Sequence, residues 1–387
     1  MAEYQINKSR DDILNQVDSN KQKETSSFLQ ISLFNNKANR RLKVPLDTKL
    51  IFFRQLSVIL QSGISLSQGL ELLADNISNK AFSECIKNIS SNLSSGSDLS
   101  FSLQQYPRIF DPIIVGLIEA GEAGGVLSEI LERIALLLES QSKIRGQITG
   151  ALIYPVILLF LALAVSLGLL IFIVPTFEEL FNGLGAKLPA LTQFMLDLSR
   201  LVTSPYFVII TPISIFLCSL AFSQYYSTKN GRFIVDSIIL KIPLFGDLIL
   251  RSELASMSDT FSTLTNSGLN ITEALEKCEI SSSNKLIKNS IRKSINMVME
   301  GQQLSYAFST SKYIPRLFTS MLKIGEETGE LSFMIEKLAN FYKREVEETV
   351  AILTKLMEPA VIFIVAVIVG TIVIALYLPM FSLLDKI

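Results

Sequence analysis

Apolar residues recur with helical spacing from about residue 47: Phe52, Leu56, Ile59 and Leu60 share one face. A turn follows at Gly63-Ile64-Ser65-Leu66-Ser67-Gln68. Gly63 suits the left-handed position that ends a helix, and Ser65 with Gln68 three residues on reads as a capping box for the next one. Two further helices are amphipathic, one through Leu127, Ile130, Leu131, Ile134, Leu137 and Leu138, the other through Leu331, Met334, Ile335, Leu338 and Phe341. No soluble segment sustains the alternation of a strand, so the pattern predicts an all-α chain. Three windows, 146–177, 201–228 and 359–384, contain no Asp, Glu, Lys or Arg. Each can cross a bilayer, which takes roughly 20 apolar residues. Pro155 and Pro359 fall near the entries of the first and third windows, where a missing N–H is expected to cost least. Between the first two windows, Leu191, Phe194, Met195 and Leu198 predict a short helix lying on the outer membrane surface.

The pattern is duplicated. Gly63 and its cap recur as Gly268-Leu269-Asn270-Ile271-Thr272-Glu273, and Gly96 and Leu99 recur as Gly301 and Leu304, all at an offset of 205 residues. After a slip of one residue, Gly121, Glu122, Gly125 and Leu127 match Gly325, Glu326, Gly329 and Leu331, while Pro155 and Pro175 match Pro359 and Pro379. Matches at a fixed offset through soluble and apolar segments alike mark an internal repeat.

These boundaries predict two duplicated helical bundles and three transmembrane helices. A polar, disordered tail over 1–45 precedes a first bundle at 46–150 and a first span at 151–176. An outer loop with the amphipathic helix covers 177–204, and a second span 205–223. The second bundle runs over 224–355, the third span over 356–382, and 383–387 end outside. The second span has no counterpart in the repeat and returns the chain to the side of the first bundle. Lys143, Arg145, Lys229, Arg232, Lys241, Lys343, Arg344 and Lys355 flank that side, against Lys187, Arg200 and Lys386 on the other. This bias makes both bundles cytosolic. In the tail, Phe28, Leu29, Ile31, Leu33 and Phe34 before a basic cluster at 37–43 give an alternative reading as a membrane-surface contact.

Composition narrows the chemistry. Net charge is −1 over 387 residues, which gives no basic excess for direct nucleic-acid binding. Histidine is absent, which removes the commonest general base and metal ligand near neutral pH. Cys85, Cys218 and Cys278 show no paired spacing, so neither a disulfide framework nor a zinc site is expected. Gly183-Leu184-Gly185-Ala186-Lys187 lacks the spacing of a phosphate-binding loop. Residues 1–27 contain no apolar signal-peptide core. The expectation is a chain with no catalytic residues, no cofactor and no metal. A small transporter or channel is the alternative, and uncharged spans argue against its polar pathway.

Two sets of residues stand out. Gly121, Glu122, Gly125 and Gly325, Glu326, Gly329 read as tight turns between helices, the acid placed near a helix N-terminus. The same acids also suit docking of a basic partner, and the two readings are compatible. Ala162 and Ser166 in the first span match Ala366 and Gly370 in the third, spaced for close helix packing in the membrane.

In this order these residues resemble the F-protein family of type II secretion systems and its type IV pilus counterpart, the PilC platform family. The resemblance covers roughly 47–387 and adds Phe53-Arg54-Gln55-Leu56, Tyr154-Pro155, Glu358-Pro359 and Val174-Pro175-Thr176-Phe177. It implies a non-enzymatic inner-membrane platform, homo-oligomeric, beneath a pilus or pseudopilus. The implied partners are a cytoplasmic hexameric assembly ATPase, pilins or pseudopilins, and other inner-membrane assembly components. Two departures matter. Residues 1–45 lack the family's short opening segment rich in Tyr and Val. Asp259 stands where Arg54 has its counterpart, which implies different partners for the two bundles.

Overall fold

The computed structural model describes residues 43–177 and 189–384. Apart from its last three residues, the expected N-terminal tail lies outside them, as do Lys187, Lys386 and the start of the outer loop. The described residues form fifteen α-helices and no strand. The first repeat comprises α1 (Leu46–Gln61), α2 (Leu66–Asn76), α3 (Lys80–Ser94), α4 (Leu99–Gln104), α5 (Pro112–Gly124) and α6 (Leu127–Gly168), which widens into a π turn at Leu169–Ile173. Then come α7 (Ala190–Thr203), α8 (Pro205–Ser227) and α9 (Lys229–Ile239). The second repeat follows as α10 (Phe245–Asn266), α11 (Ile271–Ser281), α12 (Lys285–Met299), α13 (Leu304–Ser309), α14 (Arg316–Thr328) and α15 (Leu331–Leu384).

Helices α1 to α6 thus recur in order as α10 to α15. Six glycines take a left-handed backbone, at 63, 96 and 125 and again at 268, 301 and 329, which are the duplicated glycines of the sequence. At Gly125 (φ 67°) the Val126 N–H bonds the Gly121 carbonyl and the Gly125 N–H bonds the Glu122 carbonyl, the paired bonds of a Schellman end. The predicted capping box at residue 65 does not form. Ser65 is the N-cap of α2 but makes no side-chain bond, whereas Asn270 accepts from Glu273 N at 2.8 Å.

One compact unit ends at Glu139 and takes in Ser267–Leu269; the other comprises Ser140–Asn266 and the chain from Asn270 onward. The division falls inside α6. The core of the first unit is a cluster of phenylalanines, with Phe52, Phe53, Phe82 and Phe110 meeting at ring separations of 5.1 to 6.3 Å. The repeat places Met257, Ser258 and Ile287 at three of these positions. The second bundle moves its aromatic packing to Phe308, Phe318 and Tyr342, where the first has Leu103, Ile114 and Leu138. The aromatic positions differ, so the two bundles share a backbone plan but not interchangeable cores.

Among the described residues, three helices are long and apolar enough to cross a membrane, within Leu127–Phe177, Pro205–Ser227 and Leu331–Leu378. The first and third continue without interruption from their bundles. Pro155 and Pro359 therefore lie deep inside α6 and α15 rather than at a helix start. The expected low cost at an N-terminus does not apply. The freed carbonyls sit where apolar helices commonly tolerate proline through local adjustment.

Helix α7 packs against protein. Its buried face is Thr192, Met195, Leu196 and Ser199, packed with Leu170, Val174, Ile372, Ala375 and Leu376 of the two long helices. Thr192 Oγ1 donates to the Ala375 carbonyl at 2.6 Å and Ser199 Oγ to the Leu170 carbonyl at 2.5 Å. The π turn in α6 places Leu170 where its carbonyl can take this bond. Of the predicted stripe, Met195 is buried in this cluster and Leu191 and Leu198 pack against it, while Phe194 is exposed. Two hydroxyls seven residues apart thus fasten one short helix to both long ones.

Candidate functional site

The duplicated Gly-Glu-x-x-Gly segments are built as clamps. Gly121 and Glu122 lie in the last turn of α5, Gly325 and Glu326 in that of α14, and only Gly125 and Gly329 form the turn itself. A Cβ on Gly121 would lie 2.8 Å from Ile130 Cγ1, and one on Gly325 would lie 2.9 Å from the Leu331 backbone. Glycine is therefore what lets α6 and α15 cross so closely over the preceding helix.

The two carboxylates are committed inside their bundles. Glu122 accepts from Leu99 N at 2.5 Å and from Ser100 N at 3.2 Å. Glu326 accepts from Leu304 N at 2.5 Å and from Ser305 N at 3.1 Å. These are the first two amides of α4 and α13, six-residue helices whose own N-cap residues, Asp98 and Gln303, make no side-chain cap bond. Each acid thus does sit at a helix N-terminus, but that of the preceding short helix rather than the following long one. Sequence reasoning located the residues and could not find their partners, which lie 21 to 23 positions upstream.

The charge reversal between the repeats is answered within each bundle. Arg54 on α1 pairs with Glu139 on α6 at 2.5 Å; Asp259 on α10 pairs with Lys343 on α15 at 2.6 Å. Arg54 and Asp259 are 205 positions apart and Glu139 and Lys343 are 204 apart, so the same pair is present with its signs exchanged. The exchange accounts for Asp259 inside its own bundle, without reference to a partner. The first pair is about half exposed, while the second is at 28% and 17% exposure and is reinforced by Arg251–Glu345 between the same two helices. Reversing Arg54 to Asp is expected to cost under about 1 kcal/mol. Reversing Asp259 to Arg should cost roughly 2–3 kcal/mol, and Lys343→Glu in the same chain should recover most of it. Thermal unfolding of the detergent-solubilised protein checks this; equal cost at both positions would refute the burial argument.

Three connections tie the second unit's helices to its bundle. At the start of the first apolar window, Lys143 and Gln147 of α6 both reach Glu347 of α15, at 2.8 and 3.0 Å. Helix α15 itself runs from bundle into span. At the end of α8, buried Asp236 of α9 accepts from Tyr226 Oη at 3.2 Å and from Lys285 N, the first amide of α12, at 2.8 Å. Behind it, Glu253 of α10 accepts from Ser282 Oγ, Ser283 N and Asn284 N. Burial pushes the Glu253 carboxyl above the usual carboxylate range despite these donors. Nothing in the sequence marked this junction, because Asp236 and Lys285 are 49 residues apart.

Of the membrane packing residues, Ala162 and Ser166 are buried, with Ser166 Oγ bonded to the Ala162 carbonyl at 2.8 Å. Ala366 is exposed, and a Cβ on Gly370 would meet nothing within 4 Å. Among the described residues no group of three or more His, Cys, Asp or Glu side chains could hold a metal ion.

The model of type II secretion system protein F matches this chain twice, over residues 52–175 and 257–379, in register with the internal repeat. Type IV pilus assembly protein PilC of Thermus thermophilus is 36% identical over 338 residues, 86% of this chain and 82% of that protein. The PilC of Pseudomonas aeruginosa is 33% identical over 89% of this chain and 92% of its own length. Type II secretion system protein F of Xanthomonas campestris is 28% identical over 89% and 85%.

Proposed function

The chain belongs to the type II secretion system protein F family, and from that premise we propose that it is a non-enzymatic inner-membrane platform for type IV pilus assembly. It couples a cytoplasmic hexameric assembly ATPase to the insertion of pilin subunits into the filament, together with other inner-membrane assembly components. The higher identity to pilus assembly proteins than to a secretion protein F favours pilus over pseudopilus. The basic residues flanking the bundles favour a cytosolic position for both.

The observation that carries this reading is the continuity of α6 and α15, each one helix from bundle core to apolar span. A continuous helix carries a displacement of its soluble end towards the membrane, and α15 lies wholly within one compact unit. In this reading Gly121, Glu122, Gly125, Gly325, Glu326 and Gly329 serve the docking surface by fixing where each rod leaves its bundle. Ala366 and Gly370 offer a small-residue face for homo-oligomer contact within the membrane.

Affinity purification of the tagged protein from gently solubilised native membranes, after in-cell crosslinking, tests the proposal. A hexameric ATPase and pilin-like subunits are expected in the crosslinked eluate. Reproducible crosslinking to neither, with unrelated proteins in their place, would overturn it. A double Glu122→Lys, Glu326→Lys variant is expected to lose filament assembly. That loss would report on bundle shape as much as on docking, because both acids already hold backbone amides.

A further inference from the structure

Helix α9 begins one residue after α8 ends. The joining residue, Thr228, accepts from Gly231 N and donates to the Tyr225 carbonyl, which makes the corner tight. One face of α9 turns inward through Gly231 and Asp236. The opposite face is apolar and uncovered: Phe233, Ile234 and Ile238 are 45 to 56% exposed, and Ile242 follows just past the helix end. Lys241, also exposed, closes that face. An 11-residue helix is about 16 Å long, so a helix with this face starting at the bilayer boundary can lie along the boundary.

Cations gather on the same level. Asp236 bonds both Tyr226, at the end of α8, and Lys285 N, so the first turn of α12 is held beside the end of the span. Arg232, Lys285, Lys288 and Arg292 stand close enough that the other three all press on the Lys288 ammonium, whose pKa is lowered, chiefly by desolvation. Against them are Asp236 and Glu279. Asp236 is engaged as described, and Glu279 pairs with Arg292 at 2.6 Å.

The occupant follows from continuity and charge. The apolar window of α8 has none of its residues buried inside the protein, so it is a lipid-facing surface, and the α9 face resumes it after a single residue. The apolar triad also repeats in the sequence at the 205-residue offset, as Phe28, Leu29 and Leu33. We infer that α9 lies in the headgroup layer of the membrane and, with Lys285 and Lys288, forms a binding surface for anionic phospholipid. Its apolar side chains enter the acyl boundary while the ammonium groups meet phosphate.

Cysteine placed at Ile238 reads this directly. Cys85 and Cys278 are buried, so only Cys218 needs replacement by alanine. The full chain, labelled at 238 with an environment-sensitive fluorophore, is reconstituted into phosphatidylcholine nanodiscs with or without phosphatidylglycerol. Nitroxide-bearing lipid then serves as quencher. A label at Met299, exposed at the far end of α12, is the control. Quenching is expected to be several-fold stronger at 238 than at 299. It should rise with phosphatidylglycerol, and Lys285→Glu with Lys288→Glu should abolish that rise. Quenching at 238 no greater than at 299 overturns the membrane contact, whether the label proves open to a water-soluble nitroxide or covered by protein. A signal at 238 indifferent to phosphatidylglycerol overturns the headgroup site.

Discussion

Alanine at Glu122 is expected to release α4 from the first bundle, and alanine at Glu326 to release α13 from the second, each at a cost of about 3 kcal/mol. A helix of six residues has too few internal bonds to hold itself, so its existence depends on satisfying its first amides and burying its apolar side. Leu99 is 2% exposed, so its N–H loses a partner in largely buried surroundings when the carboxylate is gone. Carboxylate oxygens that accept from backbone amides at a helix N-terminus make some of the stronger bonds of their kind. Glutamine should recover only part of the loss, because its amide nitrogen cannot accept from Ser100 N. Hydrogen exchange of the detergent-solubilised protein is the direct test. A loss of this size corresponds to roughly a hundredfold faster exchange, confined to residues 99–104 in the first variant and 304–309 in the second. Unchanged exchange there would remove the capping role.

Gly231→Ala is expected to be comparably damaging by a different route. A Cβ at this position would overlap the Tyr225 carbonyl oxygen and come within 2.9 Å of its carbon. Both are backbone atoms at the end of α8, so no side-chain rotation relieves the clash, and the corner between α8 and α9 must open. Opening it draws Asp236 away from Tyr226 and Lys285 N, so packing strain and lost hydrogen bonds combine to about 3 kcal/mol. The thermal midpoint in detergent should fall by roughly 10 °C. Gly125→Ala makes the instructive contrast. There the space is open and only the left-handed backbone resists, so about 1 kcal/mol is expected. Equal effects at the two positions would refute the steric account of Gly231.

Helix positions, the duplication and the three apolar spans were legible because each is written locally. Helical spacing of leucines from 127 to 138, a glycine at 125 and an uncharged run after 145 need no knowledge of distant residues. The glycines were legible twice over, since a left-handed helix end demands the same residue in both copies. Helix α7 shows the limit of that information. Its periodicity revealed an apolar stripe, but lipid and protein are both apolar surroundings, and period alone cannot distinguish them. What periodicity could not show is that this side meets protein, where Thr192 and Ser199 bond the Ala375 and Leu170 carbonyls of the two long helices.

The amino-acid sequence alone determined an all-helical, duplicated membrane chain and its likeness to a family of assembly platforms. Only the tertiary structure decided what the singled-out residues do. It committed Glu122 and Glu326 to the amides of short helices, answered Asp259 with Lys343, and gathered Asp236, Tyr226 and Lys285 at one corner. The physical reason is that periodicity and capping are short-range, set by neighbours within a turn. Hydrogen bonds and ion pairs between helices depend on which faces meet, and that is fixed only when the whole bundle packs.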